Sequence, residues 1–247
     1  MKRLQLAGIA AVAITLSACT TTQQVADSAF SPPRGDYRVI VMQPDISVGV
    51  LTAGSGFEHR EDWTNQARLN VTNALAAQQS KRGGEMTIAR TREQAGGDPQ
   101  QLSELIWLHN AVGHAIKVHK YSTLPLPTKK DKFDWTLGEM AVAYGRSTNY
   151  DYALFLHAQD SFSSGGRVAL QALSMLGCGF GFCVMPVGGM QFAFASLVDL
   201  KTGQVVWFNT LAASAGDIRT PAGAQKMVDS LLDEMEPGKA PRGNTAT

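Results

Sequence analysis

The chain has 247 residues, of which 44% are hydrophobic and 17% charged, with a formal net charge of +1. That hydrophobic content is enough for a packed core and excludes a disordered chain. The near-neutral balance gives no electrostatic reason to expect nucleic acid or an anionic membrane surface as a partner.

The first segment, "MKRLQLAGIAAVAITLSACTTT", opens with Lys2 and Arg3, continues as an apolar run to Ala18, and reaches Cys19. A basic start, a short apolar core and small residues before a cleavage point read as a secretory signal over residues 1–18. The run is about 15 residues, short of the roughly 20 that a spanning helix needs. Leu16-Ser17-Ala18-Cys19 resembles the lipobox of bacterial lipoproteins. The resemblance implies cleavage before Cys19 and acylation of that cysteine, palmitate included. Each buried methylene contributes about 0.8 kcal/mol, and two chains already anchor stably, so the lipid bilayer would hold the mature protein through Cys19. Thr20 stands where many inner-membrane lipoproteins carry Asp, which by the sorting rule of such proteins implies the outer membrane, facing the periplasm. The mature chain, residues 19–247, has 229 residues, which suits one domain and allows two. With Lys2 and Arg3 removed it keeps 20 basic and 21 acidic residues.

"TTTQQVADSAFSPPRG" is polar and carries Pro32 and Pro33. Residues 19–35 therefore read as a flexible tether. The α/β domain is expected over 36–236, with 237–247 a polar, disordered tail. "DYRVIVMQP" reads as a strand ending at Pro44, and "DISVGVLTAGSGFEHRED" as a Gly-rich connection. From Asp62 the period becomes helical: Trp63, Ala67, Val71, Ala74, Leu75 and Gln78 share a face, and Gly83-Gly84 supplies a stop. "EMTIART" is a short strand. Asp98-Pro99 starts a second helix, with Gln101 placed for a capping box and Leu102, Leu105, Ile106, His109, Val112 and Ile116 as its apolar face. "YSTLPLPTKKDKFD" is a surface loop, and Asp134 is placed to cap a third helix from Trp135 to Arg146.

"YDYALFLHAQD" is apolar enough for a central strand. The "SFSSGG" loop follows, then a short helix over 168–176. "GMQFAFASLVDL" alternates through Met190, Phe192, Phe194, Ser196, Val198 and Leu200. With the turn "KTG" and the strand "QVVWFNTLAAS" it makes a hairpin. Thr220-Pro221 begins a last helix facing inward through Met227, Leu231, Leu232 and Met235. The expected fold is α/β, a mixed sheet of about five strands covered by helices, ending in a β-hairpin and a C-terminal helix.

The strand "NYDYALFL" followed by "FASLVDLKTGQVVWFN" resembles the late part of bacterial lipoproteins with a TolB amino-terminal-like fold, a group that includes the curli secretion lipoproteins. Their pattern V-D-x-x-T-G, then a strand with Trp, stands here as Val198-Asp199, Thr202-Gly203 and Trp207. The resemblance implies the fold more than a function. The chain has no pair of long amphipathic hairpins of the kind that build a curli-type pore.

No catalytic motif emerges. "HNAVGHAIKVH" spaces His109, His114 and His119 by five, and five residues turn a helix by about 500°, or 140° net. Zinc-binding helices use spacings of three or four, so no metal site is expected: His109 reads as half-buried and the other two as surface residues. No P-loop and no G-x-S-x-G elbow occurs. "SFSSGGR" could form an anion nest at a strand–helix junction, or simply a surface turn. No cofactor is implied.

"SMLGCGFGFCVMPVGGMQF" carries Cys178 and Cys183. The spacing C-x4-C is not a redox C-x-x-C, and a tetrahedral metal site would need two further ligands. In an oxidising compartment the pair favours a disulfide, adding roughly 2 kcal/mol by loop entropy, with free buried thiols as the alternative. From Val168 to Val198 there are 31 residues without a charge. Gly177, Gly179, Gly181 and Pro186 argue against a spanning helix there. Either the loop is buried in the core, or Phe180, Phe182, Val184 and Met185 form an exposed apolar patch for a membrane surface or an envelope protein partner. The functional expectation is a non-catalytic accessory or scaffold in an envelope assembly. The alternatives are a self-associating, ring-forming secretion component of the curli type, and a small-ligand-binding or enzymatic periplasmic domain using residues 161–166.

Overall fold

In a computed structural model of the chain, described for residues 22–26, 37–54, 56–82, 85–121, 124–129, 132–178, 189–212, 216–232 and 235, helices cover both faces of one mixed sheet. The strands are β1 (Thr22–Ala26), β2 (Arg38–Val41), β3 (Asp45–Leu51), β4 (Phe57–His59), β5 (Glu85–Ile88), β6 (Tyr152–Ser163), β7 (Gln191–Asp199) and β8 (Val205–Ala212). The helices are α1 (Glu61–Arg82), α2 (Arg92–Ala95), α3 (Pro99–Tyr121), α4 (Gly138–Thr148), α5 (Gly165–Cys178) and α6 (Pro221–Leu232), with a 3-10 turn at Pro127–Lys129.

The twelve-residue β6 is the spine, as its apolar run predicts. One edge of it pairs antiparallel with β7. Along the other edge β2 and β3 lie end to end, both parallel to β6: β2 meets Tyr152 to Leu154 and β3 meets His157 to Ser163. The order is β1-β8-β7-β6-β2-β5, with β3 beside β6 and β4 beside β3. Because helices cover both faces, β6 buries both sets of side chains. Leu154, Leu156 and Ala158 join Ala67, Val71 and Leu75 of α1 and Met227, Val228 and Leu231 of α6. Ala153 and Phe155 join Leu102, Leu105 and Ile116 of α3 and Ala141 and Tyr144 of α4.

The hairpin of β7 and β8 and the closing helix α6 stand where the sequence places them. The V-D-x-x-T-G residues build the turn. Asp199 accepts from the amides of Lys201 (2.7 Å) and Thr202 (3.3 Å), and Gly203 takes φ +72°. Gly203 also lies so close to Gly138 that a Cβ there would meet the Gly138 carbonyl oxygen at 2.5 Å.

The structure departs from expectation in four places. The sheet has eight strands, because the Gly-rich connection forms β3 and β4 and because Thr22–Ala26, expected in a flexible tether, pairs antiparallel with β8. Asp134 does not cap the third helix: it binds Lys129 Nζ at 2.8 Å, and α4 begins at Gly138 after Leu137, with no side-chain cap. Arg92–Ala95 forms the unforeseen short α2, capped by Thr91. Finally, the "SFSSGG" loop shrinks to one residue, Ser164, since β6 runs on to Ser163 and α5 starts at Gly165.

Candidate functional site

Three places in the described structure bring chemistry-bearing residues together. The first lies under α3. Asp98 caps this helix through Gln101 N (2.9 Å), and Pro99 opens it, as the sequence predicts. Gly113 lets α3 approach the sheet closely; a Cβ on it would stand 2.1 Å from Cε2 of the fully buried Phe194. Asp45 at the start of β3 and His157 on β6 are paired in register. The Asp45 carboxylate accepts from His157 Nδ1 (2.9 Å) and Asn110 Nδ2 (2.6 Å). Asn110 Oδ1 meets His109 Nδ1 (3.3 Å), and His109 Nε2 is hydrogen-bonded to Ser196 Oγ. One polarity satisfies every member: Ser196 donates to His109, His109 to Asn110, and Asn110 and His157 to Asp45. In this polarity His109 is the neutral tautomer with its proton on Nδ1.

Burial, the largest influence, pushes His109 down to about 3. Its ring stacks on Phe155 at 4.5 Å. Hydrogen bonding from His157 holds the Asp45 carboxyl below its ordinary value. His114 sits edge-on to His157, ring centroids 5.4 Å apart, and burial followed by His157 lowers its pKa. Lys117 places Nζ 3.4 Å from the Phe192 ring centroid.

A Ser–His pair oriented by a third polar group is the arrangement that nucleophilic catalysis uses. Here Ser196 is 1% exposed and His109 3%, in mid-strand and mid-helix, so the hydroxyl faces no surface from which a substrate could approach. The reading of His109 as half-buried is corrected to fully buried. His114, read as a surface residue, is exposed in total yet packs its ring against His157 and Phe194. Spacing by five concealed the cluster, since the partners come from β3, β6 and β7. Among the described residues no group of three or more His, Cys, Asp or Glu side chains is arranged to hold a metal ion.

The second place is the far end of β6. Burial pushes the Asp160 carboxyl up to about 6, although Gln191 Nε2 donates to it at 3.0 Å. Nearby, the Arg219 guanidinium is held by Asp217 (2.8 Å) and lies 3.6 Å from the Phe162 ring centroid and 4.3 Å from that of Trp63.

The third is α5. Its sequence, "GGRVALQALSMLGC", has one charged residue, Arg167, which is buried and donates to Thr52 O at 3.0 Å. Val168, Leu170, Leu173 (65% exposed) and Met175 (64%) face out, as does Met190 (62%) just before β7. Cys178 is the last residue of α5. Its expected partner Cys183, the expected lipidation residue Cys19, and Phe180, Phe182, Val184 and Met185 lie outside the described residues. Among the described residues no helix is long and apolar enough to cross a membrane.

No protein-family model matches the chain, and no curated protein matches it. The resemblance to the TolB amino-terminal-like group thus rests on the residues that suggest it. Solved structures similar to the chain include a single-residue variant of the PelC dodecamer from Paraburkholderia phytofirmans, 15% identical over 89% of this chain and 99% of that one, TM-score 0.41. The PelC dodecamer of the same organism in another crystal form is 16% identical over 86% and 97%, TM-score 0.37. The LpoB C-terminal domain from Salmonella enterica is 17% identical over 74% and 87%, TM-score 0.27. Likeness at that level leaves the function to be argued from the chain's own residues.

Proposed function

We propose that the chain is an envelope lipoprotein, held on the periplasmic face of the outer membrane through acylated Cys19, that serves as a non-catalytic accessory or scaffold in an envelope assembly. The observation that carries the non-catalytic part is the burial of the Ser196–His109 end of the network under α3, whose Asp45 end is open to solvent. Its one nucleophile–base pair, Ser196 and His109, is spent on internal hydrogen bonds and sealed beneath the helix. Such a network specifies how α3 seats on the sheet. The anchoring part rests on Leu16-Ser17-Ala18-Cys19. A Cys178–Cys183 bridge and partner contacts through Phe180, Phe182, Val184 and Met185 belong to the same proposal.

Mass spectrometry of the protein from washed outer membranes, gently crosslinked and run without reductant, tests it. The expected result is an acylated Cys19, a Cys178–Cys183 bridge and a stoichiometric envelope partner. Unmodified Cys19 in a soluble fraction would overturn the anchoring. A Ser196→Ala variant that melts like the parent yet loses a measured turnover would overturn the non-catalytic reading. Homo-oligomers of one defined size would move the assignment to a ring-forming component.

A further inference from the structure

The pairing of β1 fixes where an anchor would lie. Thr22 pairs with Leu211, Leu211 with Ala193, Ala193 with Ala158, and Ala158 with Ile46, so these residues form one row across the sheet. The chain enters β1 at Thr22 and leaves toward Ala26, opposite Trp207. The first residue of β1 is therefore at the end of the sheet that holds the last residues of β6, the first of β7 and the β3–β4 turn. Cys19 is three residues before Thr22, so it lies within about 10 Å of it.

That end also carries α5. The helix starts two residues past β6, and its entry is fixed by Ser164 N to Leu51 O (3.0 Å) and by Arg167 to Thr52. Leu51 pairs with Phe57, whose ring is also exposed, and Met190 faces Ser161 through two backbone contacts of its own. The molecule thus presents Phe57, Met190 and the start of α5 at the end where β1 begins, with Val168, Leu170, Leu173 and Met175 exposed along the helix. Clustered exposed apolar side chains of this kind mark interaction or membrane-contact sites.

We propose that this occupant is the phospholipid bilayer itself: α5 lies along the membrane surface with its apolar side chains at the headgroup–acyl boundary. The inference rests on the anchored reading of Cys19 and deepens it, because acylation alone would leave the orientation of the domain free. Two attachments, lipid and helix, fix it, with the β7–β8 turn pointing away from the membrane. The only charged residue on α5 is buried, so the contact is apolar and insensitive to salt.

The test uses the whole mature chain, acylated and reconstituted into phosphatidylethanolamine–phosphatidylglycerol vesicles containing lipids brominated on their acyl chains. Trp is introduced as Met175→Trp on α5 or as Thr202→Trp in the β7–β8 turn, with Leu173→Trp as a second α5 position should the first fail to fold. The emission added over the parent is read with and without bromine. A residue on a helix seated about 5–10 Å into the boundary is expected to lose about half or more of that emission. Thr202, beyond the far end of a strand about 35 Å long, is expected to lose none. Absence of quenching at both α5 positions overturns the proposal, as does equal quenching at Thr202. A disulfide joining two copies through Leu173→Cys, in place of quenching, would show a second copy as the occupant and also overturn it. Failure of acylation is separable. The same chain held by an amino-terminal hexahistidine on nickel-chelating lipids gives the same readout, so quenching there keeps α5 on the membrane even if Cys19 proves unmodified.

Discussion

His109 makes the fold sensitive to mild acid, and the size of the effect follows from its burial. Its folded pKa is depressed from 6.5 to about 3. Between those values the unfolded chain binds a proton that the folded chain refuses. The stabilisation is therefore complete above the unfolded value and is lost as pH falls below it. From pH 7 to pH 5 the loss is about 2 kcal/mol, which lowers the melting temperature by roughly 4–8 °C for a chain of this size. Asp160 acts in the opposite sense over the same range, since its folded pKa is raised to about 6. The informative quantity is thus the difference between a variant and its parent. His109→Leu combined with Ser196→Ala removes the buried pair together and leaves only Oδ1 of the half-buried Asn110 without its His109 donor. Urea unfolding at pH 7 and pH 5 should show the double variant losing about 2 kcal/mol less than the parent over that step. An identical loss in both proteins would mean that His109 is solvated or charged in the fold, and the burial of the Ser196–His109 pair would fall with it.

Asp160→Asn should raise stability by about 1–3 kcal/mol at pH 8, because the buried carboxyl is pushed up to about 6 and its charged form burdens the fold. The gain should vanish below pH 4, where both states hold the proton, and a gain constant with pH in denaturant titrations would contradict this. Gly113→Ala should cost about 1–3 kcal/mol by overpacking Phe194, against the roughly 1 kcal/mol that Ala gains over Gly in a helix. A higher urea midpoint for this variant would show that α3 does not rest on Phe194. Gly203→Ala should cost about 1–3 kcal/mol for a strained left-handed turn, seen as a lower melting temperature. Amide exchange should speed first at the β7–β8 turn, and unchanged exchange there would refute the turn geometry.

Periodic segments were the legible part of the sequence. The inward faces of α1, α3 and α6 were readable because each repeats every three or four residues, and α1 buries Ala67, Val71, Ala74, Leu75 and Gln78 as the pattern requires. The β7–β8 hairpin was readable from its turn chemistry. β3 and β4 were not, because Gly49, Gly54 and Gly56 punctuate them like a loop. Gly49 has a packing reason instead: the Phe57 ring lies where its Cβ would be. The polar cluster was illegible for a different reason. Nothing in "HNAVGH" announces Asp45 or Ser196, which register and helix docking bring to it from 64 and 87 residues away. The cap expected of Asp134 failed because Lys129, five residues earlier, competes for its carboxylate.

The pairing of β1 with β8 also sets a working radius. A free tether from residue 19 to residue 36 would reach at most about 60 Å when fully extended. With β1 zipped into the sheet, three residues remain, and the same chain becomes a leash of about 10 Å. With Cys19 in a bilayer, such a domain patrols the membrane plane and does not sample the depth of the compartment. Peeling off five backbone pairs at a sheet edge is all that separates the short leash from the long one.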